Sequence, residues 1–207
     1  MRATLLQSVL SVYSSESAKG PAVIDDVVRH AGVARGTFYH YFTSLEQAVA
    51  ELGLQLADEM TAGIYSVYDV LDDPALRTAT GFQMFLCRAL AEPEWGGFIS
   101  RIGLLTGDNL FTHHIQTDIE LGVSQGVYQV PSIEVATDLL MGAKVEAIRR
   151  ILQGGGRGDY IRSMAQMVLQ GFGMETGAAA QKVRFAFDRL SHEAPSLIKW
   201  WRPVPDA

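Results

Sequence analysis

A guanidinium, a hydroxyl, a phenol and an imidazole fall within the run Arg35-Gly36-Thr37-Phe38-Tyr39-His40. On a helix turning about 100° per residue, Phe38, Phe42, Tyr41 and Ala34 share one side. Gly36 and His40 lie opposite, and Arg35, Thr37 and Tyr39 flank them. Such a face suits a nucleic-acid groove. Arg and Thr reach bases or phosphates, Tyr and His reach phosphates, and glycine lets the backbone approach closely. The plainer alternative is an exposed polar face on a short helix. A helix this short is barely stable alone in water, so aromatic side chains anchoring it from behind indicate that it is held for presentation.

Other constellations are weaker. His114 and Asp118 stand four residues apart, with His113 adjacent. A structural metal site wants four ligands, neighbouring histidines on a helix diverge by about 100°, and Cys87 is distant. No metal and no cofactor are expected. Cys87 lies in no nucleophile signature and reads as a buried thiol. The sequence holds no P-loop, dinucleotide-binding glycine pattern or zinc-protease helix, and Gly154-Gly155-Gly156 follows no strand. Enzymatic chemistry is therefore not expected.

The elements that carry these residues are helical from end to end. Apolar spacing predicts helices over about 2–17, 23–30, 35–41, 44–71, 74–91, 94–105, 110–121, 132–152, 159–170 and 176–190. Gly32 supplies the tight turn of a helix-turn-helix, because glycine accepts positive φ. Asp72-Asp73-Pro74 is a stop and restart, since proline suits a first helical turn. Ser44, Ser132 and Asp159 are expected caps. Gly122 is expected to end one helix, and the proline-bearing tail from Pro195 is expected to be irregular. Only Val127-Tyr128-Gln129-Val130 looks β-like, and Pro131 stops it. The expected fold is all-α with about nine or ten helices: a three-helix unit with a helix-turn-helix over 1–45 and a larger helical bundle over 46–207.

The 207 residues can bury a real core, and their net charge is −6. That excludes a polycation coating nucleic acid or anionic lipid, but not a local DNA site. Charged residues make up 19% of the chain, below the usual ~25%, which points to apolar surface covered by another subunit or a ligand. A single cysteine allows no internal disulfide and fits a reducing compartment. No run approaches the ~18 apolar residues of a membrane span. Gln7, Ser8 and Ser11 interrupt the opening apolar stretch, which favours an amphipathic helix over a signal peptide, and a cytoplasmic protein.

The run from Ile24 to Phe42, followed by Ser44 and Glu46, resembles the tetracycline-repressor (TetR) family of transcriptional regulators. The likeness covers roughly the first quarter of the chain. It implies an all-α homodimer whose helix-turn-helix binds a palindromic operator in double-stranded DNA, and whose C-terminal domain binds a small effector that releases it. Carried over by position, Arg35, Gly36, Thr37, Tyr39 and His40 would contact DNA, with Tyr41 at the margin and Phe38 and Phe42 in the core. Three positions depart from the family pattern. Ala34 stands where Ser or Thr often caps, Ala22-Val23 where a Thr often meets phosphate, and Leu45 where a phosphate-binding Lys is usual. Residues 1–50 hold four cations (Arg2, Lys19, Arg29, Arg35) and four acids (Glu16, Asp25, Asp26, Glu46), a net charge of zero. A shallow salt dependence of DNA binding follows, unless a basic arm precedes Met1.

Ile133, Ala136, Leu140, Ala143, Ala147 and Ile151 form one apolar stripe, and Ile161, Met164 and Val168 lie on another. Joined by the 154–158 connection, these helices suit a four-helix dimer interface, with intramolecular core as the alternative. Phe82, Phe85, Trp95, Phe98, Phe111 and Met141 suit a mainly apolar effector pocket, with Arg88 and His114, and also Arg101, Asn109 and His113, as polar anchors. Two functions remain: a ligand-responsive regulator, expected to be a repressor, or an all-α small-molecule-binding protein or enzyme without a DNA role.

Overall fold

A computed structural model describes residues 1–14, 22–68, 71–101 and 110–204. Among these lie ten helices and no strand: α1 Arg2–Ser14, α2 Ile24–Ala31, α3 Arg35–Tyr41, α4 Leu45–Tyr68, α5 Pro74–Ala91, α6 Pro93–Arg101, α7 Leu110–Ser124, α8 Ile133–Leu152, α9 Gly158–Gly171 and α10 Thr176–Leu197. No helix among the described residues is long and apolar enough to cross a membrane.

The punctuation has local causes. Asp25 and Asp26 sit in the first turn of α2, and Arg29 and His30 in its last, matching the helix dipole at both ends. Gly32 ends α2 at φ 66°. Its N–H donates to Arg29 O, and that of Val33 donates to Val28 O at 3.0 Å, so the last carbonyls are satisfied. Ser44 Oγ accepts from Gln47 N–H at the head of α4. At α5, Asp73 accepts from the N–H groups of Ala75 and Leu76, and Pro74 occupies the first turn. Ser132 Oγ accepts from Val135 N–H and opens α8.

Helix α5 is the axis of the bundle. It packs against α6, α7, α8, α9 and α10, and is buried along nearly its whole length. Helix α1 lies between the two ends of the molecule, against α2, α4 and α6.

Four sequence expectations are corrected. Helix α7 does not stop at Gly122 but runs on to Ser124. The glycine is there for room, since a Cβ would stand 2.1 Å from Tyr128 Cδ2. Helix α9 begins at Gly158, and Asp159 is inside its first turn, accepting from Tyr160 N–H rather than capping. Helix α10 continues through Pro195 to Leu197. Buried Ala186, Phe187, Leu190 and Ala194 carry its apolar face up to the proline, and Ile198 is buried beyond it. The proline sits in the final turn, where few backbone bonds are lost. Ala34 is exposed, not inward, because it precedes the first turn of α3 in extended conformation. The expected ends of the first and sixth helices, near 17 and 105, lie outside the described residues.

Candidate functional site

Helix α3 owes its position to two rings. Phe38 and Phe42 are buried and stack on one another with centroids 5.5 Å apart. Arg2 lies over the Phe42 ring and pairs with Glu51, which ties the start of α1 to α4. Across the helix, Arg35, Gly36, Tyr39 and His40 are exposed, while Thr37 and Tyr41 are half-buried. A Cβ built on Gly36 would meet nothing within 4 Å, so the backbone there is open to close approach. Arg35 donates to Asp25 Oδ1 at 3.0 Å and to the Tyr39 hydroxyl at 3.3 Å. That hydroxyl, then the Asp25 carboxylate, hold its guanidinium firmly in the charged form. Ala34 gives α3 no side-chain cap, as its residue type demands.

A second feature is a cavity among four helices. Thr61, Ile64 and Tyr65 enter from α4, and Arg77, Thr78, Gly81, Phe82 and Phe85 from α5. His114, Ile115 and Asp118 come from α7, and Leu140 and Lys144 from α8. The enclosed room within this lining is only about 60 Å³, below the ~300–1,000 Å³ of occupied small-molecule sites, so a ligand that enters must part its walls. Its polar groups are mostly paired. Arg77 Nε meets Asp118 Oδ1 at 2.8 Å, and the Tyr65 hydroxyl stands 3.0 Å from His114 Nε2. Lys144 is 2% exposed, with Nζ 3.9 Å from the centre of the Phe85 ring. Burial drives its ammonium down from 10.5 to about 7.

Residues 17–52 match the family of bacterial regulatory proteins known as the tetR family. The amino-terminal unit is a TetR-type helix-turn-helix. The TetR-like fold extends over the whole chain. RolR in complex with resorcinol superposes with a TM-score of 0.67 at 21% identity, over 99% of this chain and 95% of that one. The regulator FadR from Bacillus subtilis, in complex with stearoyl-CoA, gives 0.66 at 13% identity over 83% and 99%. A TetR-family transcription regulator from Marinobacter aquaeolei VT8 gives 0.63 at 13% over 82% and 94%. No curated protein matches the chain.

Within this TetR-like chain, Phe82, Phe85 and His114 line the cavity, and several other expected pocket residues do not. Arg88 is buried between the Trp95 and Trp200 rings and donates to Glu59 and Glu92. It braces α4, α5 and α6. Trp95 and Phe98 are buried on α6, where Phe98 packs edge-on against Tyr13 of α1, and Met141 is core. Arg101 donates to the Tyr13 carbonyl at the end of α1. His113 is exposed on α7 and is not among the lining residues. The Phe111 side chain and Asn109 lie outside the described residues. Sequence reading missed Lys144 and Arg77, and weighed Asp118 only as a metal ligand beside His114.

The expected interface stripe also resolves differently. Ala136, Leu140, Ala147, Ile151, Ile161 and Val168 are buried within the protomer itself, and Ile133, Ala143 and Met164 are half-buried. The open apolar side of the same two helices carries Val135, Leu139 and Gly142 on α8, and Met167 and Gly171 on α9. Leu139 leans over Gly171, where a Cβ would come within 2.7 Å of its Cδ2.

Proposed function

We propose that the protein is a ligand-responsive transcription regulator. It binds a palindromic operator as a homodimer, represses, and lets go when a small, mainly apolar effector enters the cavity between α4, α5, α7 and α8. The observation that carries this reading is α3 itself: seven residues, pinned by two buried phenylalanines, with an arginine, a phenol, an imidazole and an open glycine facing solvent. Arg35, Gly36, Thr37, Tyr39 and His40 contact the duplex, with Tyr41 at the edge of the footprint. Residues 1–45 act as the reading unit and 46–207 as the effector and dimer unit. RolR with resorcinol and FadR with stearoyl-CoA support the effector role, since one fold accepts an aromatic and an acyl ligand. The protein works in the cytoplasm, as a binding protein and not an enzyme, without a membrane partner.

The second copy docks on the exposed Val135, Leu139, Gly142, Met167 and Gly171 side of α8 and α9. Apolar side chains this open on adjacent helices are a surface that association removes from water. The two-fold axis then sets the reading helices about one DNA turn apart, ~34–36 Å.

A gel shift with the DNA flanking the gene tests the reading. A specific, palindrome-dependent complex is expected at low salt. Arg35→Ala should weaken it by about tenfold or more, while dimerisation and effector binding stay intact. Absence of any specific complex at low salt defeats the regulator reading, and unchanged affinity for Arg35→Ala removes that residue from the contact surface.

A further inference from the structure

Among the described residues the chain buries two cations, and they are treated in opposite ways. Arg88 donates to two carboxylates and lies against two indole rings. Lys144 is equally buried. Among the described residues its ammonium has no hydrogen bond and no ion pair, only the face of Phe85. The Thr61 hydroxyl in the same lining is buried without a hydrogen-bond partner, but the charged and aromatic polar groups there are already committed. Arg77 of α5 is held by Asp118 of α7, and His114 of α7 by Tyr65 of α4. The lining therefore carries one uncompensated positive site inside walls of Phe82, Phe85, Ile64 and Leu140. An isolated charge in such surroundings is costly, and an anion brought in from outside removes that cost.

We propose that the effector is a small organic monoacid whose carboxylate pairs with Lys144 Nζ while its apolar body lies between Phe82, Phe85 and Leu140. The inference rests on reading this cavity as the effector site, and it adds the ligand's charge and the residue that selects it. A neutral molecule of the same body fills the same space but leaves the ammonium unpaired. The pocket thus discriminates by charge at one end and by shape along the rest. Charge also sets a pH signature. The acid binds the ammonium form, which burial confines to pH below about 7. Above that, binding must take up a proton, so affinity falls by up to about tenfold per pH unit.

Calorimetric titration of the full chain tests this with matched pairs: benzoate and benzamide, phenylacetate and phenylacetamide, octanoate and octanamide. At pH 6.5, at least one acid is expected to bind the wild type about tenfold or more tightly than its amide. The preference should shrink at pH 8.5. Lys144→Met should abolish it while amide binding persists, which also shows that the variant is folded. Lys144→Arg should keep it. Amides binding as tightly as their acids, or a preference surviving in Lys144→Met, overturns the monoacid inference alone. If no acid and no amide binds, the effector-site reading of the cavity falls as well.

Discussion

Lys144→Met should make the protein more stable, and the gain should depend on pH. The side chains are close in length, and the substitution replaces a buried ammonium with a thioether suited to apolar surroundings. In the unfolded chain a lysine titrates near 10.5, whereas folding moves Lys144 to about 7. A shift of 10.5 − 7 = 3.5 units at 1.36 kcal/mol each is roughly 5 kcal/mol, an upper figure because the cavity mouth admits water. The sign follows from proton counting. Between pH 7 and 10.5 the unfolded state holds a proton that the folded state has released, so wild-type stability rises with pH in that window. Its slope is at most about 1.4 kcal/mol per unit. Burial moves the Cys87 thiol from 9.0 up to about 12, and it pushes Tyr128 upward too. Those groups act the other way: above about 9 the unfolded state loses their protons first, and stability falls. Urea unfolding at pH 7, 8 and 9, at one protein concentration so that any dimer term stays fixed, isolates the lysine. The wild type should gain stability across that series, and Lys144→Met should start higher and stay flat. A variant no more stable than wild type at pH 7, with the same pH slope, would refute the claim that this ammonium is buried without compensation.

Three further outcomes follow from packing. Gly122→Ala should lower stability by about 2–4 kcal/mol in urea unfolding. The new Cβ displaces the Tyr128 ring, whose hydroxyl donates to Pro74 O or Thr78 Oγ1 and whose face meets Phe172. A loss under about 0.5 kcal/mol would show that the ring moves freely. Leu139→Glu should dissociate the proposed dimer in sedimentation, with affinity down at least about a hundredfold, while Leu54→Glu, on a still more open site of α4, should not. A dimer surviving Leu139→Glu places the interface elsewhere. Gly97→Val should wedge α1 from α6, because even a Cβ there stands 3.1 Å from Ser14. Operator affinity should fall by about tenfold in the gel shift with amide binding unchanged, and an unaltered affinity would remove α6 from the control of the reading unit.

The parts of the fold that could be read from sequence are those set by local chemistry. The bounds of α3, the left-handed turn at Gly32, the restart at Asp73-Pro74 and the cap at Ser132 each follow from a residue's own backbone preference. What could not be read depends on distant partners. Gly122 looks like a helix stop until Tyr128 is seen lying across it, and Pro195 looks like a breaker until Ala194 and Ile198 are seen buried on either side of it. The α8 stripe shows the same limit. Periodicity finds a helix's apolar side but not whether its own chain or a second one covers it. Here the regular stripe went inward, leaving the sparser Val135, Leu139 and Gly142 outside. Lys144 did leave a trace. Leu140, Lys144, Ala147 and Ile151 stand at steps of four, three and four, so the lysine lies on the apolar stripe itself. The inward helix face at that turn holds Lys144 rather than Ala143.

The effector cavity and the reading unit are joined by two routes of contact, not one. Helix α4 starts directly after Phe42 and contributes Thr61, Ile64 and Tyr65 to the cavity wall. The other route runs through α6. Phe85, at the cavity, packs 5.8 Å from Trp95. On the same helix Phe98 meets Tyr13, Gly97 meets Ser14, Glu94 accepts from Gln7 and Ser11, and Arg101 grips the Tyr13 carbonyl. Every one of those partners is on α1, which packs against α2. On the proposed reading, an effector that reseats Phe85 as it pairs with Lys144 pushes on the reading unit from α6 while α4 holds its other side. The two helices need not move far. In that proposal a tilt of α1 carries α2, which packs against it, and α3, which packs on α2, and in the proposed dimer both reading units turn together. The release it produces is bounded by how much better the effector fits the tilted state than the straight one. The proposed ion pair at Lys144 adds to that difference only as far as it forms better in the tilted state than in the straight one.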